Sequence, residues 1–409
     1  MKRYLRLSVL LFLLMPLMLT QSCTKEEADP FEGNTYLVSA DLEMMRNKDN
    51  IITLLNWGSL LYPELADMVD DIQSGVNVYS ITYNTSFLGE AVLASGLVII
   101  PSAPGDYPIL SFQNGTNTLH ANAPTRDPDG TYYQLLQGVA STGYVVIISD
   151  YLGFGVSDNM DHPYLHKEST VQTVIDMLYA VGEFDEDVAK DITISSDCFL
   201  MGYSQGGWAT LALLDAIEHD YTSDFTVRAT CCGAGPYNLG YFNDHVLGLT
   251  AYPMPIFLGY IANAYTEYDL YANPLSDLFN EPYSTRIPGL YDGEHSSDQI
   301  NDQLTTSITG LFTADYLNGY DTAPEYESVR NALEENSIEG WNSSVPLLFL
   351  HGTADDYVMP ELSEMIHTAM INAGSSPLTC LYETMDGLNH TDGIVPAGFA
   401  GVEFFKIFR

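Results

Sequence analysis

The sequence predicts an α/β chain built on a mainly parallel sheet of eight strands with helices on both faces. Three observations predict it. β-branched and aromatic runs alternate with helical patterns over most of residues 76–409, which is how a parallel sheet with crossover helices reads. One strand-to-helix junction is Gly202-Tyr203-Ser204-Gln205-Gly206, a serine set between two glycines. The alternation stops once, over the 108 residues 237–344, a length that a compact domain does not leave structureless and that predicts a folded insertion.

Taken in order, residues 36–73 read as helical and acidic. Residues 76–82 and 91–100 read as opening antiparallel strands, followed by strands at 108–112, 144–149, 198–202, 227–232, 345–350 and 379–383. Helical periodicity fills 132–141, 169–181, 205–218, 360–373 and 397–407. A sheet of this kind carries its site beyond the carboxyl ends of the strands. The insertion falls between the sixth and seventh predicted strands and is expected to lie over those ends as a cap, with 36–236 and 345–409 forming the two parts of the core. Twelve of the 28 tyrosines fall in it and read mainly as its own core. Pro253, Pro255 and Gly259 argue against a membrane span within 246–265.

At the amino terminus Lys2, Arg3 and Arg6 precede an apolar run over 7–19, so residues 1–22 read as a signal peptide. Ser22-Cys23 at its end resembles the lipobox of bacterial lipoproteins, with Cys23 as the acylated first residue; ordinary secretion is the alternative. Lys25-Glu26-Glu27 after it resembles the surface-export signal of Bacteroides-type lipoproteins, making 23–35 an acidic tether. The chain is expected to be exported and lipid-anchored to an outer membrane.

Formal charge is −40, from 14 basic and 54 acidic residues. Such a surface repels nucleic acid and anionic headgroups, so contact with a membrane is expected through lipid only. Nothing in the sequence requires a protein partner. Cys198, Cys231, Cys232 and Cys380 each stand in an apolar run and read as buried thiols, a disulfide being the alternative. The nine histidines show no metal-ligand spacing, and Asp127-Pro128-Asp129-Gly130 reads as a turn and helix start rather than a calcium loop.

The chemistry gathers on four loops. At Gly202–Gly206 a sharp turn pushes the Ser204 hydroxyl into the open and aims the Gln205 N–H at an oxygen that becomes negative under attack. A serine nucleophile needs a base, and the base an orienting acid. Asp355 follows the strand 345–350 and is the expected acid, with Asp356 its neighbouring competitor. His390 follows the last predicted strand and is the expected base. His351 is assigned to the turn before the acid, and His162 and His166 either to the pocket wall or to a helix start. The loop Gln113-Asn114-Gly115-Thr116-Asn117 after the third predicted strand offers the Thr116 N–H as second oxyanion donor.

The order Ser, Asp, His is that of the α/β-hydrolases. With Asp150-Tyr151-Leu152-Gly153-Phe154-Gly155 after the fourth predicted strand, residues 76–409 resemble more narrowly the secretory lipase/esterase group with a large cap. The resemblance implies an α/β-hydrolase fold, ester hydrolysis of a small-molecule substrate, and no cofactor. A true lipase, a peptidase of the prolyl-oligopeptidase type and a non-catalytic surface binding protein are the rivals. Asn263, Asn273, Asp277 and Asn280 interrupt the insertion and favour short acyl chains over a long dry channel.

Overall fold

In the computed structural model, residues 33–184, 188, 189 and 191–409 are described. The sequence alternation folds into a nine-stranded mixed sheet in the order β1-β2-β3-β5-β4-β6-β7-β8-β9. The strands are β1 (Leu37–Arg46), β2 (Val76–Phe87), β3 (Glu90–Pro101), β4 (Gly105–Gln113), β5 (Val145–Ser149), β6 (Ile192–Tyr203), β7 (Thr226–Gly233), β8 (Leu347–Gly352) and β9 (Cys380–Met385). β1, β2 and β3 pair antiparallel and β3 also meets β5 antiparallel; from β5 across to β9 every pairing is parallel.

The ninth strand corrects the reading of 36–73 as helical. Leu37–Arg46 runs along β2 as an edge strand, and only Lys48–Gly58 and Leu65–Met68 behind it are α-helical. The register slips twice along β1, between Leu37 and Ser39 and between Leu42 and Met44, which erases the two-residue alternation that marks a strand. Its Leu, Glu and Met residues suit a helix by propensity, and the unpaired edge of β2 overrides them.

The middle of the sheet is apolar on both faces, as helices on both sides require. All five residues of β5 are buried, and Phe199 packs edge to face on Tyr144 at a centroid distance of 5.4 Å and tilted on Phe405 at 5.0 Å. Cys198, Cys231, Cys232 and Cys380 are buried, unbridged thiols; burial pushes Cys198 and Cys231 up to about 12 and Cys380 to about 11. The helix Gln205–Asp220 starts directly at the carboxyl end of β6 and buries Trp208 completely.

Between β7 and β8 the chain forms a series of helices, the longest Leu239–Leu247, Pro255–Glu267 and Glu327–Glu335. Several tyrosines there do more than fill its own core. The hydroxyls of Tyr252, Tyr260 and Tyr265 donate to the carbonyls of Tyr357, Asn117 and Leu165 at 2.8, 3.2 and 3.0 Å, and Tyr268 donates to that of Asp161. Trp208 Nε1 reaches back to the Asn336 carbonyl at 3.0 Å. Asn263 is spent on Asp161, and Asn273 and Asn280 bond within 273–328. These polar residues therefore do not interrupt a channel as the sequence suggested.

Among the described residues no helix is long and apolar enough to cross a membrane. Cys23 and the segments 1–22 and 23–32 lie outside the described residues.

Candidate active site

The elbow is built by close backbone approach. Ser204 sits at φ 60° and ψ −124°, a conformation that costs a side-chain-bearing residue on the order of 1–3 kcal/mol and that the surrounding backbone must impose. A Cβ on Gly202 would collide with the Gly206 carbonyl, and one on Gly206 with the Gln113 carbonyl at the end of β4. Both positions therefore exclude side chains. The Ser204 N–H is tied to the Gly233 carbonyl at 2.8 Å, fixing the turn after β6 against the end of β7.

Three loops converge on that serine. Ser204 Oγ stands 2.9 Å from His390 Nε2, and His390 Nδ1 stands 2.6 Å from Asp355 Oδ2. A carboxylate only accepts, so Nδ1 carries the imidazole proton and Nε2 is left to accept from the serine hydroxyl. The Asp355 side chain is fully buried. Burial alone would push its carboxyl up, but hydrogen bonds from His351 and His390, the His390 charge and the Val358 N–H bring it down to about 2. Asp356 is exposed and takes no part. The base loop is held by Tyr203, whose hydroxyl donates to the His390 carbonyl at 2.8 Å. Tyr203 and Tyr357 lie at centroid distances of 5.2 and 5.3 Å from the imidazole.

Gln205 and Thr116 border the same space. Gln205 opens the helix Gln205–Asp220, where first-turn N–H groups have no intrahelical acceptor. Among the described residues neither its backbone N–H nor that of Thr116 donates to a protein acceptor. The Thr116 loop is pinned by Asn114 Nδ2 on the Ser149 carbonyl at 2.8 Å and by Thr116 Oγ1 against Tyr164 Oη at 2.7 Å. In front of Ser204 lies a cavity of about 500 Å³, bordered by Asn114, Thr116, Asn117, Tyr151, Phe257 and His390 among others.

Residues 131–395 match the family model described as secretory lipase. The chain belongs to that family. Its fold is that of the α/β-hydrolases, and membership makes it an esterase/lipase-type hydrolase acting on esters; the family is a secretory one. No curated protein matches the chain. Among solved structures, a Legionella pneumophila protein described as a hydrolase is 25% identical, with a TM-score of 0.81 over 91% of this chain and 98% of its own. The ligand-bound form of the rice cell wall degrading esterase LipA from Xanthomonas oryzae is 25% identical, with a TM-score of 0.77 over 92% of this chain and all of its own. Candida antarctica lipase A in its closed state, 15% identical with a TM-score of 0.61 over 92% of this chain and 86% of its own, shares the fold.

Within this secretory lipase fold, four contributions were hidden or left open in the sequence. His351 is no mere turn residue: it is fully buried and faces Asp355. His162 lines the cavity, whereas His166 stands just before the helix Lys167–Gly182. The His162 Nδ1–H donates to the Leu152 carbonyl at 2.7 Å, leaving Nε2 to accept from Gln205 Nε2 at 2.9 Å; burial pulls this imidazole down to about 4, so it is neutral. Asp150 is buried beside the cavity, accepting from the Thr125 N–H at 2.9 Å and from the hydroxyls of Ser95 and Thr125. The fourth is Tyr203. A buried histidine directly ending an apolar strand was a usable signal for His351; for the others the partners are remote in sequence. Asp127 closes a turn, its carbonyl accepting from Gly130 at 2.9 Å before the helix Thr131–Ser141. Among the described residues no three His, Cys, Asp or Glu side chains converge as metal ligands would.

Proposed function

We propose that this secretory-lipase-family chain is a serine carboxylesterase. Ser204 Oγ attacks the ester carbonyl carbon while His390 Nε2 takes its proton, and Asp355 holds the imidazolium that results. The oxyanion of the tetrahedral intermediate accepts from the N–H groups of Gln205 and Thr116. Collapse expels the alcohol, which leaves with the proton from His390, and a water activated by His390 then releases the acid from Ser204. The observation that carries this reading is the relay of 2.9 and 2.6 Å from Ser204 through His390 to Asp355 at a strained elbow.

Residues 237–344 act as a cap on a core made of 36–236 and 345–409, lending Met254, Phe257 and Ser297 to the cavity border. With tyrosine hydroxyls tying it to core carbonyls, the cap is read as fixed rather than as a lid. Amide side chains of Asn114, Asn117 and Asn122 among the aromatic rings suit a short soluble ester better than a palmitoyl chain, which gains about 0.8 kcal/mol per methylene only in a dry channel. Likeness to an esterase supports ester hydrolysis itself. The test is fluorophosphonate labelling together with a panel of esters and peptides on residues 23–409. Labelling at Ser204, higher kcat/KM for acetyl to hexanoyl than for palmitoyl esters, and no jump in rate at emulsification are expected. A steady rise to palmitoyl with interfacial activation would instead make the chain a true lipase.

At the amino terminus the reading is a lipid anchor on Cys23 that tethers the acidic body to an outer membrane. Cys23→Ser is expected to move the protein wholly out of the membrane fraction; full retention would refute the anchor.

A further inference from the structure

The acid of the proposed relay is gripped by a second imidazole. Asp355 receives four hydrogen bonds. Oδ1 accepts from the N–H groups of Tyr357 and Val358, both at 2.9 Å, and Oδ2 accepts from His390 Nδ1 at 2.6 Å and faces His351 Nε2 at 3.1 Å. His351 Nε2 also faces the Val358 carbonyl at 2.8 Å. A carbonyl and a carboxylate can only accept, so this nitrogen carries its proton and shares it between them. At the other end of the ring, Nδ1 lies 2.7 Å from Ser363 Oγ on the helix Glu361–Ala373. The ring is fully buried, and with both nitrogens occupied it has one orientation.

We propose that His351 is a positioning residue for ester hydrolysis: it fixes the Asp355 carboxylate plane and drains charge from the oxygen that His390 uses. The inference rests on the Ser204–His390–Asp355 reading. Its chemistry follows from sharing one oxygen. Every proton donated to Oδ2 by His351 weakens the field that the carboxylate exerts on His390, and so holds the imidazolium of His390 less tightly. This applies whether His351 is neutral or charged, because both forms carry hydrogen on Nε2. Removing His351 therefore has two consequences. The carboxylate gains freedom to rotate away from His390, which lowers the rate. The undiluted carboxylate stabilises protonated His390, which moves the acid limb of the pH profile to higher pH.

Other groups near the pair do not supply this effect. Tyr203 and Tyr357 face His390 through their rings, and burial pushes the Tyr203 phenol up. Burial likewise pushes up the Tyr252 phenol, whose hydroxyl is engaged by the Tyr357 carbonyl. Asp356, next to Asp355 in the chain, is exposed to solvent.

The test compares His351→Leu, His351→Gln and Ser363→Ala with the unaltered chain, measuring kcat, KM and the pH dependence of kcat/KM on a soluble ester, with a thermal melt to show that each variant is folded. His351→Leu is expected to lose about 10- to 100-fold in kcat, the scale of one hydrogen bond to a charged group, with KM little changed and the acid limb raised by about half a unit to one unit. His351→Gln, whose amide N–H can reach the same oxygen, restores part of both. Ser363→Ala keeps the imidazole but frees its far end and moves both readouts in the same direction by less; it carries the test should His351→Leu fail to fold. A folded His351→Leu protein with unaltered kcat and acid limb overturns the proposal. So does an equal loss in the Leu and Gln variants with the acid limb unmoved, which marks a purely structural role. Ser204→Ala run alongside separates the two levels: turnover by that variant refutes the underlying triad, whereas an inactive Ser204→Ala beside wild-type-like His351 variants refutes only the positioning role.

Discussion

The corner around Ser204 and the helical stretch between β7 and β8 border one cavity, yet they are specified in different ways. At the corner, a five-residue string dictates its own geometry: Ser204 is held at φ 60° because carbonyls on either side leave no room for a Cβ at Gly202 or Gly206. The helical stretch has no such local code. Its tyrosines reach carbonyls of Asn117, Leu165 and Tyr357 that lie up to 143 residues away in the chain, and its Asn263 reaches Asp161 while Asn280 bonds within the stretch. The strain at the corner is local, whereas the helical stretch is attached through remote contacts.

The largest effect that would break this contrast lies at the corner. Ser204→Ala and His390→Ala should each remove ester hydrolysis by a factor on the order of 10⁴–10⁶ with the melting temperature nearly unchanged, since triad members act as one unit. Residual turnover within tenfold of wild type, after excluding contamination, would mean that the chemistry sits elsewhere. Next comes the choice between adjacent acids. Asp355→Asn should cost about 10⁴ in kcat by forcing the wrong tautomer on His390, whereas exposed Asp356→Asn should stay within about twofold. Steady-state kinetics on the pair decides it, and similar losses in both would undo the assignment.

A smaller effect tests the wall between the two regions. His162 is held neutral with its pKa pulled to about 4 in the folded chain, against about 6.5 unfolded. Its contribution is fully present above pH 6.5 and is lost as pH falls through 4, amounting to about 3 kcal/mol across that window. Unfolding curves from pH 7 to 4 should therefore fall more steeply for wild type than for His162→Gln; parallel curves would show that this imidazole is not the one that resists protonation. The smallest effect belongs to the helical stretch. Phe257→Ala should raise KM for butyryl and hexanoyl esters about three- to tenfold while kcat for acetyl esters stays within about twofold, because the ring borders the cavity without touching the relay. A matching collapse of kcat would place this region in the reaction itself.

Much of the core was legible in the sequence. Apolar runs marked eight of the nine strands, because the inner strands carry side chains that must leave water on both faces of the sheet, and Leu37–Arg46 escaped because two register slips hide its period. Ser204, Asp355 and His390 could be named from position, since each stands just past a strand at its carboxyl end and a doubly covered parallel sheet gathers those ends on one side. The sequence left Asp355 and Asp356 as alternatives, because neighbouring carboxylates have the same chemistry; burial of one side chain and exposure of the other is a tertiary fact. The second imidazole on Asp355, the Tyr203 bond to the His390 loop and the His162–Gln205 pair were likewise decided only by the fold, as each joins groups whose meeting depends on where whole elements pack. What the sequence determined by itself was the part that steric exclusion and strand periodicity can write locally: the elbow, the order in which Ser204, Asp355 and His390 follow their strands, and the sheet that aligns them. What only the tertiary structure decided was which polar group answers which, because a hydrogen bond is chosen by distance and direction between elements rather than by neighbours along the chain.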